Sequence, residues 1–396
     1  MFDKSANSKS SFPVLSLLFL ASIFYCNFMS RIIFGPLMPL LEIDLGLSHS
    51  ESGSFFLMIS MGFSIGLFGI GLLSSRLTHR RIISLGMVVL GCSLLIISRA
   101  GSLGVIAAGL IMLGIGAGIY LPSGVATLTS LTEPRNWGKA FAIHELAPNI
   151  ALVTAPLLAE AVIRWASWRM GPILLGVGCL VIGLSFARFG KGGDFHGEPL
   201  DFNSVKTIAK IPSFWIMGLL FSLGVGASLG VYSMLSLYLV AERGMDRSMA
   251  NTLIAVSRIS GVGLSFLGGW ASDRLGPKTA MSWVFVISGC MTFLLGVVPG
   301  NWVILLVFLQ PAFSVCFFPA GFSALSLIGP HRMRNITVSM LFLFSVFIGG
   351  GALPVILGIA GEEYSFSLGF AFVGMLTLAS LFLIPRLKLR NPEESE

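Results

Sequence analysis

Residues 251–278 read NTLIAVSRISGVGLSFLGGWASDRLGPK. The stretch from Asn251 to Trp270 is long and apolar enough to cross a bilayer as a helix, because about 20 residues rising 1.5 Å each cover a ~30 Å hydrocarbon core. Two features break the pattern. Arg258 stands ten residues before Gly268, so its Cα lies about 15 Å from the end of the helix, near the midplane. A guanidinium at that depth costs at least about 2.5–3.5 kcal/mol to insert and is normally kept for work in a polar cavity. The second feature is the charged turn DRLGPK that closes the helix.

The same design recurs along the chain. Of its 396 residues 55% are hydrophobic and 11% charged, far below the roughly 25% charged residues of a soluble domain. Hydropathy and helix breakers predict twelve membrane helices, near 14–38, 52–74, 82–98, 103–128, 139–162, 171–188, 213–240, 248–271, 280–298, 302–327, 336–360 and 366–385. The expected fold class is therefore an all-α membrane protein. The first apolar run is too long for the 7–15 residue core of a signal peptide and is expected to be retained. The net charge of +7 is a topology signal rather than a nucleic-acid footprint. With a cytoplasmic N-terminus, 18 of the 25 basic residues fall inside and 5 outside, leaving only Arg31 and Arg258 within the membrane. That bias places both termini in the cytoplasm of a multi-pass protein of the inner membrane. The cysteines Cys26, Cys92, Cys179, Cys290 and Cys316 all fall in predicted helices without paired spacing and read as small packing residues. Trp165 and Trp168 are expected in an interfacial belt.

Residues 189–212, FGKGGDFHGEPLDFNSVKTIAKIP, form the one long polar interior segment. They divide the chain into a bundle over 1–188, a cytoplasmic linker over 189–212 and a second bundle over 213–396. The two bundles read as repeats. Pro122 and Gly124 recur as Pro319 and Gly321 at an offset of 197, and so does Arg135 as Arg332. Gly71 and Arg76 recur as Gly269 and Arg274 at 198, as does Pro156 as Pro354. Parallel repeats with a site between them near the midplane are a known transporter design.

With these residues in place, the chain resembles the major facilitator superfamily over essentially its whole length. The turn after helix 8 is similar to that family's G-x-x-x-D-R-x-G-[RK]-[RK] signature, with Gly269, Asp273, Arg274, Gly276 and Lys278 in register and Pro277 in place of one basic residue. The first-half copy, GLLSSRLTHRR, keeps Arg76 but has Ser75 where the acid belongs and Thr78 where a glycine belongs. The resemblance implies a gating role for Gly269, Asp273, Arg274, Gly276 and Arg76, with a conventional latch weakened in the first half. Gly109, Gly114, Gly116 and Gly118 in helix 4 suit close helix packing. Pro148, Pro156 and Pro354 are expected to bend helices 5 and 11.

Arg31, in YCNFMSRIIFGPLMPLLEIDLGLS, resembles the first-helix arginine of organic-anion and organophosphate carriers, which meets carboxylate or phosphate. Asn27 and Tyr25 lie nearby and are expected to add hydrogen bonds; Tyr120 and Tyr232 complete the substrate-binding candidates. The alternative for Arg31 is snorkelling to the interface. Arg258 resembles the helix-8 arginine of monocarboxylate-type carriers, and its alternative is a structural ion pair. A guanidinium fork suits carboxylate and phosphate alike. Glu145, beside His144, is the one carboxylate clearly inside a helix. It is expected to pair with Arg258 across the two halves, and with His144 to take up a coupling proton. A static polar pocket is the competing reading.

No metal-binding spacing, phosphate-cradling glycine loop or catalytic pairing is present, so neither an enzyme nor a cofactor is expected. The expected function is secondary transport of a small organic anion by alternating access, by a monomer coupled to a proton or another ion. Efflux of lipophilic cations, and a transporter-like receptor or lipid scramblase, are the rival readings.

Overall fold

The computed structural model describes residues 12–197, 202–328 and 333–389, so Arg332 of the repeat pattern lies outside the described residues. Among the described residues twelve helices are long and apolar enough to cross a membrane. They are α1 Val14–Leu45, α2 His49–Ser74, α3 His79–Arg99, α4 Leu103–Leu131, α5 Pro134–Trp165, α6 Met170–Phe189, α7 Pro212–Ala241, α8 Arg247–Leu275, α9 Pro277–Val297, α10 Trp302–Leu325, α11 Ile336–Glu363 and α12 Phe366–Arg386. Large apolar side chains such as Leu15, Phe266 and Phe382 face outward, the surface that lipid rather than water would wet.

Where helices depart from the expected continuity, proline chemistry accounts for most cases. α1 runs to Leu45 rather than 38, ending at Gly46 in the left-handed conformation (φ 63°), but is interrupted at Ile33. Pro36 has no N–H to give the carbonyl of Ile32, so the ladder breaks there. α10 breaks at Val315–Cys316, four residues before Pro319, for the same reason. Its repeat partner Pro122 is absorbed within a continuous α4, and Pro148 and Pro156 within a continuous α5. α11 widens into a π turn over Val346–Ala352 immediately before Pro354, and α7 into another over Gly226–Gly230. The two π turns pack on each other, where a side chain on Gly349 would strike the Ser222 carbonyl.

The helix-4 glycines do pack. A Cβ on Gly114 would collide with Ile59 O and Phe63 N of α2, and one on Gly118 with Phe63 O. The backbones of α2 and α4 therefore touch without side chains between them. Gly114→Leu is expected to destabilise the protein by about 3 kcal/mol or more, read as a lost or strongly lowered thermal transition in detergent. Gly101→Ala, where a Cβ meets nothing, should leave it unchanged.

The halves meet along α2 with α11, α1 with α7 and α5 with α8. They are tied most firmly at the end remote from the linker. There the Ser50 N–H donates to Glu362 Oε2 (3.1 Å), and Glu160, Arg247 and Asn251 form a cluster. Further in, Ser64 Oγ reaches Leu343 O (3.3 Å). The first part of the linker is strapped to the first half: Arg80 N–H donates to Gly193 O, Gly197 N–H to Ser74 O, and Arg80 pairs with Asp194. A short helix, Phe202–Ala209, follows and packs on α7 and α11.

Candidate functional site

The α1 candidates separate into different roles. Asn27 is 1% exposed and its amide donates to Ala117 O of α4 (3.3 Å). Tyr25 OH bonds Thr154 Oγ1 of α5 (2.9 Å). Both side chains tie α1 to its own bundle, so neither extends a hydrogen-bonding surface around Arg31 as expected. Arg31 instead lies against two aromatic rings, 4.9 Å from the centroid of Phe28 and 4.8 Å from that of Phe63 on α2. Its Nε is buried without a hydrogen-bond partner. Phe28 sits one turn before Arg31, so both project from the same face of α1.

Arg258 is 7% exposed in α8. Its guanidinium sits 4.8 Å above the Tyr232 ring, and Nη2 makes one long hydrogen bond, 3.5 Å, to Ser228 O. Ser228 belongs to the π turn of α7, where the wider winding leaves carbonyls available to side chains. Nε of Arg258 and the hydroxyl of Tyr232 are both buried and unpartnered. Cation–π contact contributes about 0.5–2 kcal/mol, well short of the several kcal/mol needed to bury an ion. Both membrane arginines therefore carry charge that the surrounding aromatic faces only partly offset.

The expected Glu145–Arg258 pair is not formed. Neighbouring positions on a helix point about 100° apart, and α5 uses this to bury His144 while leaving the Glu145 side chain 57% exposed. Glu145 Oε1 lies 3.3 Å from His144 Nδ1, and Arg258 is held by α7 of its own half. The His144 ring stacks on Phe24 (4.3 Å, 10°), and its Nε2 is 2.9 Å from Tyr120 OH, which donates to Leu20 O. Nε2 faces the Tyr120 hydroxyl and Nδ1, the ring's other nitrogen, lies toward Glu145. Tyr120 thus belongs to the His144–Glu145 chain and not to the surroundings of the arginines.

Besides Glu362 at Ser50, a buried carboxylate that does cross between the halves is Glu160, 7% exposed near the remote end of α5. Arg247 Nε lies 3.1 Å away, and Asn251 Nδ2 donates to it at 2.7 Å and to Pro36 O at 3.2 Å. Ser236 Oγ donates to Asn251 Oδ1. A lone acid in the apolar stretch 151–163 was the available signal for Glu160; nothing in sequence marks Asn251. Trp168 is likewise buried, its indole donating to Asp44 (2.7 Å), while Trp165 is 89% exposed.

At the linker end, Arg76, Asp273 and Arg274 are exposed, with Arg274 lying over Trp270. Gly276 takes φ 81°, a conformation costly for any other residue, which explains the glycine at that point of the motif.

Two sets of membrane-spanning helices with a half-buried Arg31 and a buried Arg258, neither paired with an acid among the described residues, suit a membrane transporter. The chain belongs to the Major Facilitator Superfamily, whose family model matches residues 20–263 and again 214–396. It is 21% identical over 88% of its length to the multidrug transporter mfsC of Aspergillus fumigatus, spanning 62% of that protein. It is 21% identical to the membrane sensor protein UhpC of Salmonella typhimurium, covering 88% of this chain and 86% of that one. It is 24% identical to the "Probable sulfoacetate transporter SauU" of Cupriavidus necator, covering 94% of each. Its fold is similar to the crystal structure of a bacterial homologue of the human lysosomal transporter Spinster in an inward-facing, occupied conformation, with TM-score 0.77, 17% identity and coverage of 96% and 99%.

Proposed function

We propose that the protein is a secondary transporter that carries a small organic anion across the inner membrane by alternating access. The observation that carries this reading is Arg258: a guanidinium 7% exposed, resting on Tyr232 with a single long bond to a backbone carbonyl and no carboxylate paired with it among the described residues. A negatively charged cargo supplies the missing counter-charge. Arg31 offers a second cation from the other half on the same terms. The relative named for sulfoacetate transport agrees with an anionic cargo. The test is uptake into liposomes by purified protein over a panel of carboxylates, sulfonates and phosphate esters. Saturable uptake of an anion, lost in Arg258→Ala, supports the reading; uptake confined to lipophilic cations overturns it.

In this reading the linker and both termini face the cytoplasm, the bundles over 1–188 and 213–396 rock about the midplane as a monomer, and the linker over 189–212 joins them. In the same reading the Glu160 cluster closes the outer side, and the exposed Arg76 and Asp273–Arg274 turns belong to the inner side.

The chain Tyr120–His144–Glu145 is the candidate proton site. Its one solvent-facing member is Glu145, with the buried imidazole of His144 between it and Tyr120. Glu145→Gln is expected to flatten the pH dependence of uptake, with half-maximal uptake shifting by less than twofold between pH 5.5 and 7.5. A slope equal to the parent's removes Glu145 as the coupling group. A receptor reading draws on the sensor among the relatives; liposomes showing anion binding without counterflow favour it.

A further inference from the structure

A third buried group meets the same π turn as Arg258. Gln310, on α10, is 1% exposed. Its Nε2 donates to Ala227 O at 2.7 Å and to Thr292 Oγ1 at 3.1 Å. Thr292 gives its own proton to Ser288 O, so toward Gln310 it only accepts. Both amide hydrogens are therefore committed, and the reverse orientation would set Oε1 against the Ala227 carbonyl, acceptor against acceptor. The remaining atom, Oε1, is buried and has no hydrogen-bond partner.

Ala227 and Ser228 present successive carbonyls of one π turn. Gln310 bonds the first and Arg258 the second, so amide and guanidinium are both anchored to neighbouring carbonyls of one turn. Tyr232, one turn further along α7, lies beneath the guanidinium with its hydroxyl unpartnered. Three buried and unpaired atoms thus gather on one turn: two donors, Arg258 Nε–H and Tyr232 O–H, and one acceptor, Gln310 Oε1. A plain anion engages the donors and leaves the acceptor unpaired, and an unpaired buried polar group costs about 1–3 kcal/mol. An anion that also carries an O–H engages all three.

We propose that Gln310 Oε1 accepts a hydrogen bond from the cargo, so that the transported anion is a hydroxylated carboxylate or phosphate ester rather than a simple inorganic or alkyl anion. This rests on the anion reading of Arg258 and adds to it the second functional group of the substrate. Gln310 would be a specificity residue, since a site built to bond a substrate hydroxyl rejects the analogue that lacks one.

The experiment is a thermal-shift titration of the purified full-length protein with matched pairs: lactate against propionate, gluconate against hexanoate, and glycerol 3-phosphate against propyl phosphate. At least one hydroxylated member is expected to half-saturate at a concentration at least about tenfold below its deoxy partner. In Gln310→Leu that ratio should fall toward one, while Arg258→Ala removes the response to both members. Equal affinity within every pair, with both responses dependent on Arg258, overturns the proposal and leaves the anion reading standing. A preference that survives in Gln310→Leu also overturns it. The comparison within parent protein does not depend on the variant folding. Absence of any Arg258-dependent anion response overturns the anion reading, and the proposal with it.

Discussion

Arg258→Ala is expected to weaken substrate affinity at least a hundredfold while leaving the empty protein as stable as the parent, or more so. Two charge-assisted hydrogen bonds from a guanidinium fork contribute about 1.5–3 kcal/mol each, which sets the scale of the loss. The stability arm separates cargo binding from structure. In the described conformation Arg258 is bonded only through Nη2 to Ser228 O and lies on a ring face. Removing it deletes a buried charge with no acid left behind unpaired. Had it served a structural ion pair, the same change would strand a carboxylate and lower stability by about 3–5 kcal/mol. The readouts are the thermal transition without ligand and the uptake KM with it. A transition lowered by several degrees together with unchanged KM would refute the assignment. Arg258→Lys should recover little, because a point charge lacks the planar fork.

The second large effect lies at the remote end, where Glu160→Gln is expected to release the contact between the halves. Glu160 holds Arg247 at 3.1 Å and Asn251 at 2.7 Å, the latter fully buried. The neutral amide has to present one donor toward groups that are already donors, leaving at least one buried group unsatisfied at about 1–3 kcal/mol. The population open at that end should rise roughly 5–150-fold. Spin labels at Arg99→Cys and Tyr364→Cys, on the exposed remote ends of the two halves, report the separation in a background freed of native cysteines. A new, longer distance population is expected in Glu160→Gln. An unchanged distribution means the cluster does not hold that side closed.

Much of the fold was legible because membrane insertion acts on residues in order. A run of about 20 apolar residues declares a span regardless of its neighbours, and the observed spans overlap those expected from sequence. Boundary errors came from proline and capping chemistry. α1 continues to Gly46 past its break at Ile33, and α2 starts at His49 through the reciprocal Ser48–Glu51 cap. The placement of the two arginines within spanning helices was also foreseeable, since charge inside an apolar run needs no partner to be noticed. Their surroundings were not. Asn27 and Tyr25 looked like neighbours of Arg31 by spacing, yet each bonds a helix that is far away in sequence. Tyr120 proved to serve His144.

From its order of residues alone the chain disclosed twelve spans and two guanidinium groups within the apolar runs, because each is a local property of composition and period. Tertiary structure alone decided which polar atoms meet. It turned Glu145 toward His144 instead of Arg258, set Glu160 as a buried carboxylate between the halves, and brought Gln310 to the π turn beside Ser228. The reason is directional: a hydrogen bond depends on a few tenths of an ångström and on the angle at which two helices present their faces. That angle is set by close packing of residues such as Gly114 and Gly349 against a neighbour's backbone.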